Sequence, residues 1–186
     1  MMSALRILIV VALQTAALGY MIFDRVAMLN SADVVTLKVK PVDPSDMFRG
    51  DYVILNYDIS EIYTANLAGD HHFVQDGFAY VTLEQKDGVW GAVAVNGVMP
   101  ARVAGQVVLR GEVKSVYATE TSAPPTIRLT YGIESFFLPQ GQGKVIEDER
   151  QKGDLTADIA VDAQGRGTIK AIRRADGKVI YVEGLF

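Results

Sequence analysis

Between Ile7 and Phe23 the chain carries no charge over 17 consecutive residues, ILIVVALQTAALGYMIF. As a helix rising about 1.5 Å per residue, this run spans roughly 25 Å, enough for a bilayer core if Met28 and Leu29 or the flanks assist. A helix buried in a soluble protein normally shows a charged face, and here only Gln14 and Thr15 are polar. The run therefore predicts a membrane anchor over residues 1–29, with Ile7–Phe23 in contact with the lipid.

Arg6 and the amino terminus precede the run, and Asp24 and Arg25 follow it. Positive charge on the short leading segment favours an N-terminus in the cytoplasm, so residues 30–186 are expected outside the inner membrane, in the periplasm. A cleaved secretory signal would need a shorter apolar core and a small-x-small site soon after it. Tyr20-Met21-Ile22-Phe23 offers no such site and Ser31-Ala32 is a poor one, so the anchor is read as uncleaved.

The remainder is the size of one domain and long enough to bury a core without staples. There is no cysteine, which excludes disulfides, thiolate chemistry and Cys-based zinc sites. A net charge of -4 with no basic patch argues against binding nucleic acid.

After the anchor, short alternating runs and turn signals follow at close spacing. Val34–Val39, Asp51–Ser60, Gly77–Gln85, Val89–Val95, Gln106–Val116, Thr126–Gly132, Ile133–Leu138, Leu155–Val161, Gly167–Ile172 and Lys178–Val182 read as strands. In Asp51–Ser60, Val53, Leu55, Tyr57 and Ile59 share the core face, while Tyr52, Asn56 and Asp58 lie on the other. Lys86-Asp87-Gly88 supplies a hairpin turn, and Gly111 marks a bulge or bend in a long strand. Glu61–Ala68 is a short helix or irregular loop, and Gly141–Lys152 is a second short helix. The pattern predicts a mainly β protein: one transmembrane helix followed by an antiparallel β-sandwich or partly closed β-barrel.

Gly50–Tyr57 reads GDYVILNY and fits the pattern Gly-Asp-Tyr-x-x-Leu-x-Tyr. Pro41-Val42-Asp43-Pro44 and Phe48-Arg49 precede it. Downstream lies Tyr131-Gly132-Ile133-Glu134-Ser135-Phe136-Phe137-Leu138-Pro139, followed by Gly141 and Gly143. Together with the N-terminal helix, these blocks resemble the GDYXXLXY family of membrane-anchored bacterial proteins over most of the chain. The resemblance implies a membrane-anchored domain, often encoded near multi-spanning membrane proteins, and it carries over no catalytic residue. Physically, Gly50 and Asp51 shape the entry to a strand whose Leu55 and Tyr57 face the core. The functional alternative is a recognition surface. Its candidate residues are Arg49, Gly50, Asp51, Tyr52, Leu55 and Tyr57, with Tyr131 and Glu134 from the second block.

Other chemistry is thin. Asp70-His71-His72 has no second cluster to complete a metal site and reads as a solvated loop tip. Asp43, Asp46 and Asp51 lack a calcium-loop pattern. No metal or cofactor is expected. Ser45-Asp46-Met47 ahead of Gly50-Asp51 faintly resembles signal-peptidase-type serine hydrolases, but an Asp separates Ser45 from Met47 and the gap to Gly50 is too short. A lysine base, Lys86 or Lys114, would also be required. Glu134, among aromatics, would need a partner if buried, with Arg128 and Arg110 the candidates. Asp162–Gly167 and Ala175–Lys178 read as ordinary turns. The reading that results is a non-enzymatic accessory or interaction module for a membrane or envelope protein. The alternatives are the Ser45 hydrolase and small-ligand capture in a barrel mouth.

Overall fold

The computed structural model describes residues 2–40, 52–86, 88–117, 124–137, 155–174 and 176–183. Helix α1 covers Met2–Leu29. It is followed by β1 (Asp33–Lys40), β2 (Tyr52–Ile54), β3 (Asn56–Tyr57), β4 (Glu61–Tyr63), β5 (Ala68–Gly69), β6 (Phe78–Lys86) and β7 (Val89–Asn96). Then come β8 (Gln106–Tyr117), β9 (Thr126–Thr130), β10 (Ser135–Phe137), β11 (Leu155–Val161), β12 (Gly167–Arg174) and β13 (Val179–Val182).

The fold is mainly β, as its alternating runs require. Six strands in the order β4-β9-β8-β6-β7-β5 form a curled half-barrel. Five more, β13-β12-β11-β1-β3, make a second sheet, and β10-β2 is a two-stranded ribbon. The described pairings are antiparallel except β5 with β7. One apolar core joins the sheets, with Leu37, Leu83, Leu109, Leu129 and Ile159 among its fully buried members. The β6–β7 hairpin forms as its turn chemistry demands, with Gly88 at φ +83°. The β11–β12–β13 meander likewise follows its pattern. Asp158, buried on β11, is satisfied by the Thr36 hydroxyl at 2.9 Å and by Arg173 Nε at 2.5 Å.

Three details differ from the sequence reading. Asp51–Ser60 is not one strand: β2 pairs with β10, β3 pairs with β1, and Asp58–Ser60 closes as a 3-10 turn. The side-chain alternation survives the break, with Leu55, Tyr57 and Ile59 buried and Asn56 and Asp58 exposed. Only the pairing partner changes, at Leu55, whose amide donates to the Glu134 carbonyl at 2.6 Å. Glu61–Ala68 divides into β4, a 3-10 turn at Thr64–Asn66 and the start of β5. The irregularity in β8 falls between Val113 and Ser115, not at Gly111. The expected helix at Gly141–Lys152 lies outside the described residues.

α1 is a single helix long and apolar enough to cross a membrane: within Leu5–Leu29 its most apolar 18 residues have a mean hydropathy of 1.9, and none of those is buried. It does not stop at Asp24-Arg25. Those two side chains are instead gripped by the β body. Arg166, in the β11–β12 connection, donates to both carboxylate oxygens of Asp24 at 2.8 and 3.3 Å. Arg25 donates to Glu183 at 2.8 Å and to the Thr168 hydroxyl at 2.5 Å. Leu29 is buried against the body, and the Ser31 hydroxyl donates to the Val161 carbonyl. The helix thus enters the sheet with only three residues between Leu29 and β1.

Candidate functional site

The two sequence blocks meet in space. β3 and its 3-10 turn bring Leu55, Tyr57, Ile59 and Ser60 against the β9–β10 turn, which carries Tyr131–Glu134. The tyrosines interlock reciprocally. The Tyr57 hydroxyl donates to the Ile133 carbonyl at 2.7 Å, and the Tyr131 hydroxyl donates to the Ile59 carbonyl at 2.7 Å. Both bonds are buried, so each phenol satisfies a carbonyl that water does not reach. Burial, and secondarily the Glu134 carboxylate, push both phenols well above the usual tyrosine range. They therefore act as protonated donors throughout the neutral range.

Glu134 holds the second block in its turn. One carboxylate oxygen accepts the Tyr131 amide at 2.5 Å and the other accepts the Gly132 amide at 2.9 Å. Its backbone carbonyl takes the Leu55 amide. The expected arginine partners are elsewhere: Arg128 lies opposite Glu61 in the β4–β9 ladder, and Arg110 stacks on the Phe78 ring at 4.9 Å. A carboxylate that closes on amides two and three residues back is a local motif, and the spacing in Tyr-Gly-Ile-Glu already carried that signal. Removing it frees two amides in a turn, so Glu134→Ala should lose about 2 kcal/mol of stability in chemical denaturation. Glu134→Gln, which keeps one acceptor, should lose roughly half of that. An unchanged midpoint in Glu134→Ala would show that the turn holds without the carboxylate.

Of the remaining candidates, Leu55 is fully buried beside Tyr57. The backbone of Tyr52 pairs with Phe137. Arg49, Gly50, Asp51 and Ser45 lie outside the described residues, as do Asp43 and Asp46. Beside the interlock is a cleft of about 250 Å³ lined by Lys40, Asn56, Tyr57, Ser60, Arg128 and Glu134, among others. A larger groove of about 430 Å³ lies between the Asp58–Leu67 segment and β7, with Ile62, Leu67, Lys86 and Trp90 on its walls. His71 and His72 are exposed in a loop, and no group of three metal-ligating side chains occurs among the described residues. Lys114 is exposed and paired with Glu112 at 2.5 Å.

The interlock joins two blocks that both fall within residues 14–172, where the profile of the GDYXXLXY protein family matches this chain. The chain belongs to the GDYXXLXY protein family. Comparison with curated proteins and with solved structures returned no match. In this member of the GDYXXLXY family, the last Leu and Tyr of the defining motif are structural. Leu55 fills the core, and Tyr57 reaches across to the second block. The sequence reading missed a second constellation, Asp24, Arg25, Asp162, Arg166, Thr168 and Glu183 at the end of α1. Asp162 does build an ordinary turn, its carboxylate accepting the Gln164 and Arg166 amides. The same turn also aims Arg166 at Asp24, 142 residues away, and no local pattern reports that.

Proposed function

We propose that this protein is a single-pass inner-membrane protein whose N-terminus is cytoplasmic and whose periplasmic body, residues 30–186, is a non-enzymatic interaction module for a membrane or envelope protein. The anchor reading rests on the uncharged helix and on Arg6 before it. The observation that supports a binding role is the interlock. The polar groups of Tyr57, Tyr131 and Glu134 are engaged with backbone inside the fold, so the described parts of both blocks set shape rather than present reactive groups. Lys114, one of the two lysines a Ser45 hydrolase would use, is exposed and ion-paired, whereas a lysine base needs desolvation to lose its proton. The cleft beside Tyr57 mixes Lys40, Arg128 and Glu134, which suits a protein surface better than capture of an apolar ligand.

Photo-cross-linking in intact cells, with the reactive group placed at Trp90 in the groove and mass-spectrometric identification of the adduct, tests this reading. One membrane or envelope protein should recur, and Ser45→Ala should leave both the adduct and the cell's phenotype unchanged. Recovery of nothing above background would overturn the module. A null phenotype from Ser45→Ala at normal protein level would favour the hydrolase. The chain has no cysteine, so Tyr117→Cys provides a single label site. It should react with an impermeant maleimide in cells whose inner membrane is intact.

A further inference from the structure

Exposed valines are ordinary on a protein surface when scattered, but two occur together in the loop that joins β7 to β8. Residues 97–105 read Gly-Val-Met-Pro-Ala-Arg-Val-Ala-Gly, with Arg102 the one charge. Val98 is 78% exposed and Val103 57%, Ala101 and Ala104 are exposed too, and Met99 and Pro100 are half-buried. The place of this loop is fixed by Arg102. Its guanidinium donates to the Asp33 carboxylate at 3.0 Å and to the Asp162 carbonyl at 3.4 Å. Asp33 begins the strand that α1 feeds. Asp162 belongs to the turn whose Arg166 grips Asp24.

The height of the membrane surface along α1 can be read from its side chains. Tyr20 and Phe23 are 70% and 71% exposed, the position of aromatic interface anchors, and the first charges follow at Asp24 and Arg25. Arg166, bonded to Asp24, therefore lies at headgroup level, and the loop is tied to the same turn. We infer that the 97–105 loop is a second lipid contact: Val98 and Val103 enter the interfacial layer of the bilayer that α1 crosses, and Arg102 stays at the headgroups. This rests on the reading of α1 as a membrane anchor. An apolar segment with a single long cation is suited to that layer, because its aliphatic atoms leave water while the guanidinium remains solvated.

The test uses the full-length chain reconstituted in vesicles of phosphatidylethanolamine and phosphatidylglycerol with brominated acyl chains. The absence of native cysteine allows a bimane probe at one position at a time: Val98→Cys, Val103→Cys, Ala17→Cys within α1, and Tyr117→Cys. Tyr117 is seven residues along β8 from Arg110, whose amide bonds to the Gly165 carbonyl, or roughly 23 Å farther along the strand. Probes at positions 98, 103 and 17 should lose most of their emission relative to non-brominated vesicles, and the probe at 117 should lose none. If position 17 is quenched while 98 and 103 behave like 117, the loop proposal fails and the anchor stands. If position 17 is not quenched, the anchor reading fails and the loop proposal falls with it.

Discussion

Replacing Tyr57 by Phe should cost about 1–3 kcal/mol of folding stability, because the Ile133 carbonyl stays buried and loses the hydroxyl that donates to it. Tyr57→Ala should cost more, about 3–5 kcal/mol, since the ring is among the largest fully buried side chains and its removal also opens a cavity. Urea or guanidinium denaturation followed by circular dichroism measures both. The ordering matters more than either value. A surface-recognition tyrosine would tolerate the Phe change with no shift in the midpoint, whereas an interlock member cannot. The pH dependence gives a second readout. Unfolded, the phenol loses its proton near pH 10, while the folded phenol, its pKa raised by burial, keeps it. Above that pH the unfolded state binds fewer protons than the native state, so stability declines as pH rises. Tyr57→Phe should flatten that decline, leaving the parts due to Tyr131 and Tyr181, whose phenols are also raised.

The second large effect is expected at a glycine. Gly111 has ordinary extended backbone and is not among the residues with positive φ, so conformational freedom does not explain it. Space does. A Cβ there would sit 2.9 Å from Cε1 and 3.2 Å from Cδ1 of the Tyr131 ring, and 3.3 Å from Cβ of Leu129. The ring has little room to yield, because its hydroxyl is fixed to Ile59 and its amide to Glu134. Gly111→Ala should therefore cost about 1–3 kcal/mol through overpacking, and Gly111→Val more. The decisive measurement is a thermodynamic cycle with Tyr131→Leu, a smaller side chain that vacates the contested volume. Gly111→Ala should cost less in that background than in the parent. Strict additivity would mean that the ring is not what the glycine accommodates.

The parts of this architecture that could be read from the sequence are those with a local cause. The N-terminal helix shows as an uninterrupted apolar run, the β6–β7 hairpin as two runs about a glycine turn, and the β11–β13 meander as three runs with turn residues between. The core face of Leu55, Tyr57 and Ile59 was legible because alternation depends only on strand geometry. The split at Leu55 was not, because a strand's partner is chosen by residues about 80 positions away, in β10. The same distance hid the exchange of hydroxyls between Tyr57 and Tyr131, although both residues were marked by the family blocks. An arginine partner would have been needed only by a deeply buried Glu134, and Glu134 is half-buried. Its turn needed two acceptors, and the carboxylate takes the Tyr131 and Gly132 amides.

The junction at Asp24 and Arg25 has a mechanical consequence. A domain hung on a loose tether sweeps a hemisphere and can meet targets far from its attachment point. This one is welded to its mast by two ion pairs, a hydroxyl contact and a buried leucine, so it turns only when the helix turns. On the anchoring proposed above, a partner would have to drift to it within the plane of the lipid and present the matching side at a fixed height.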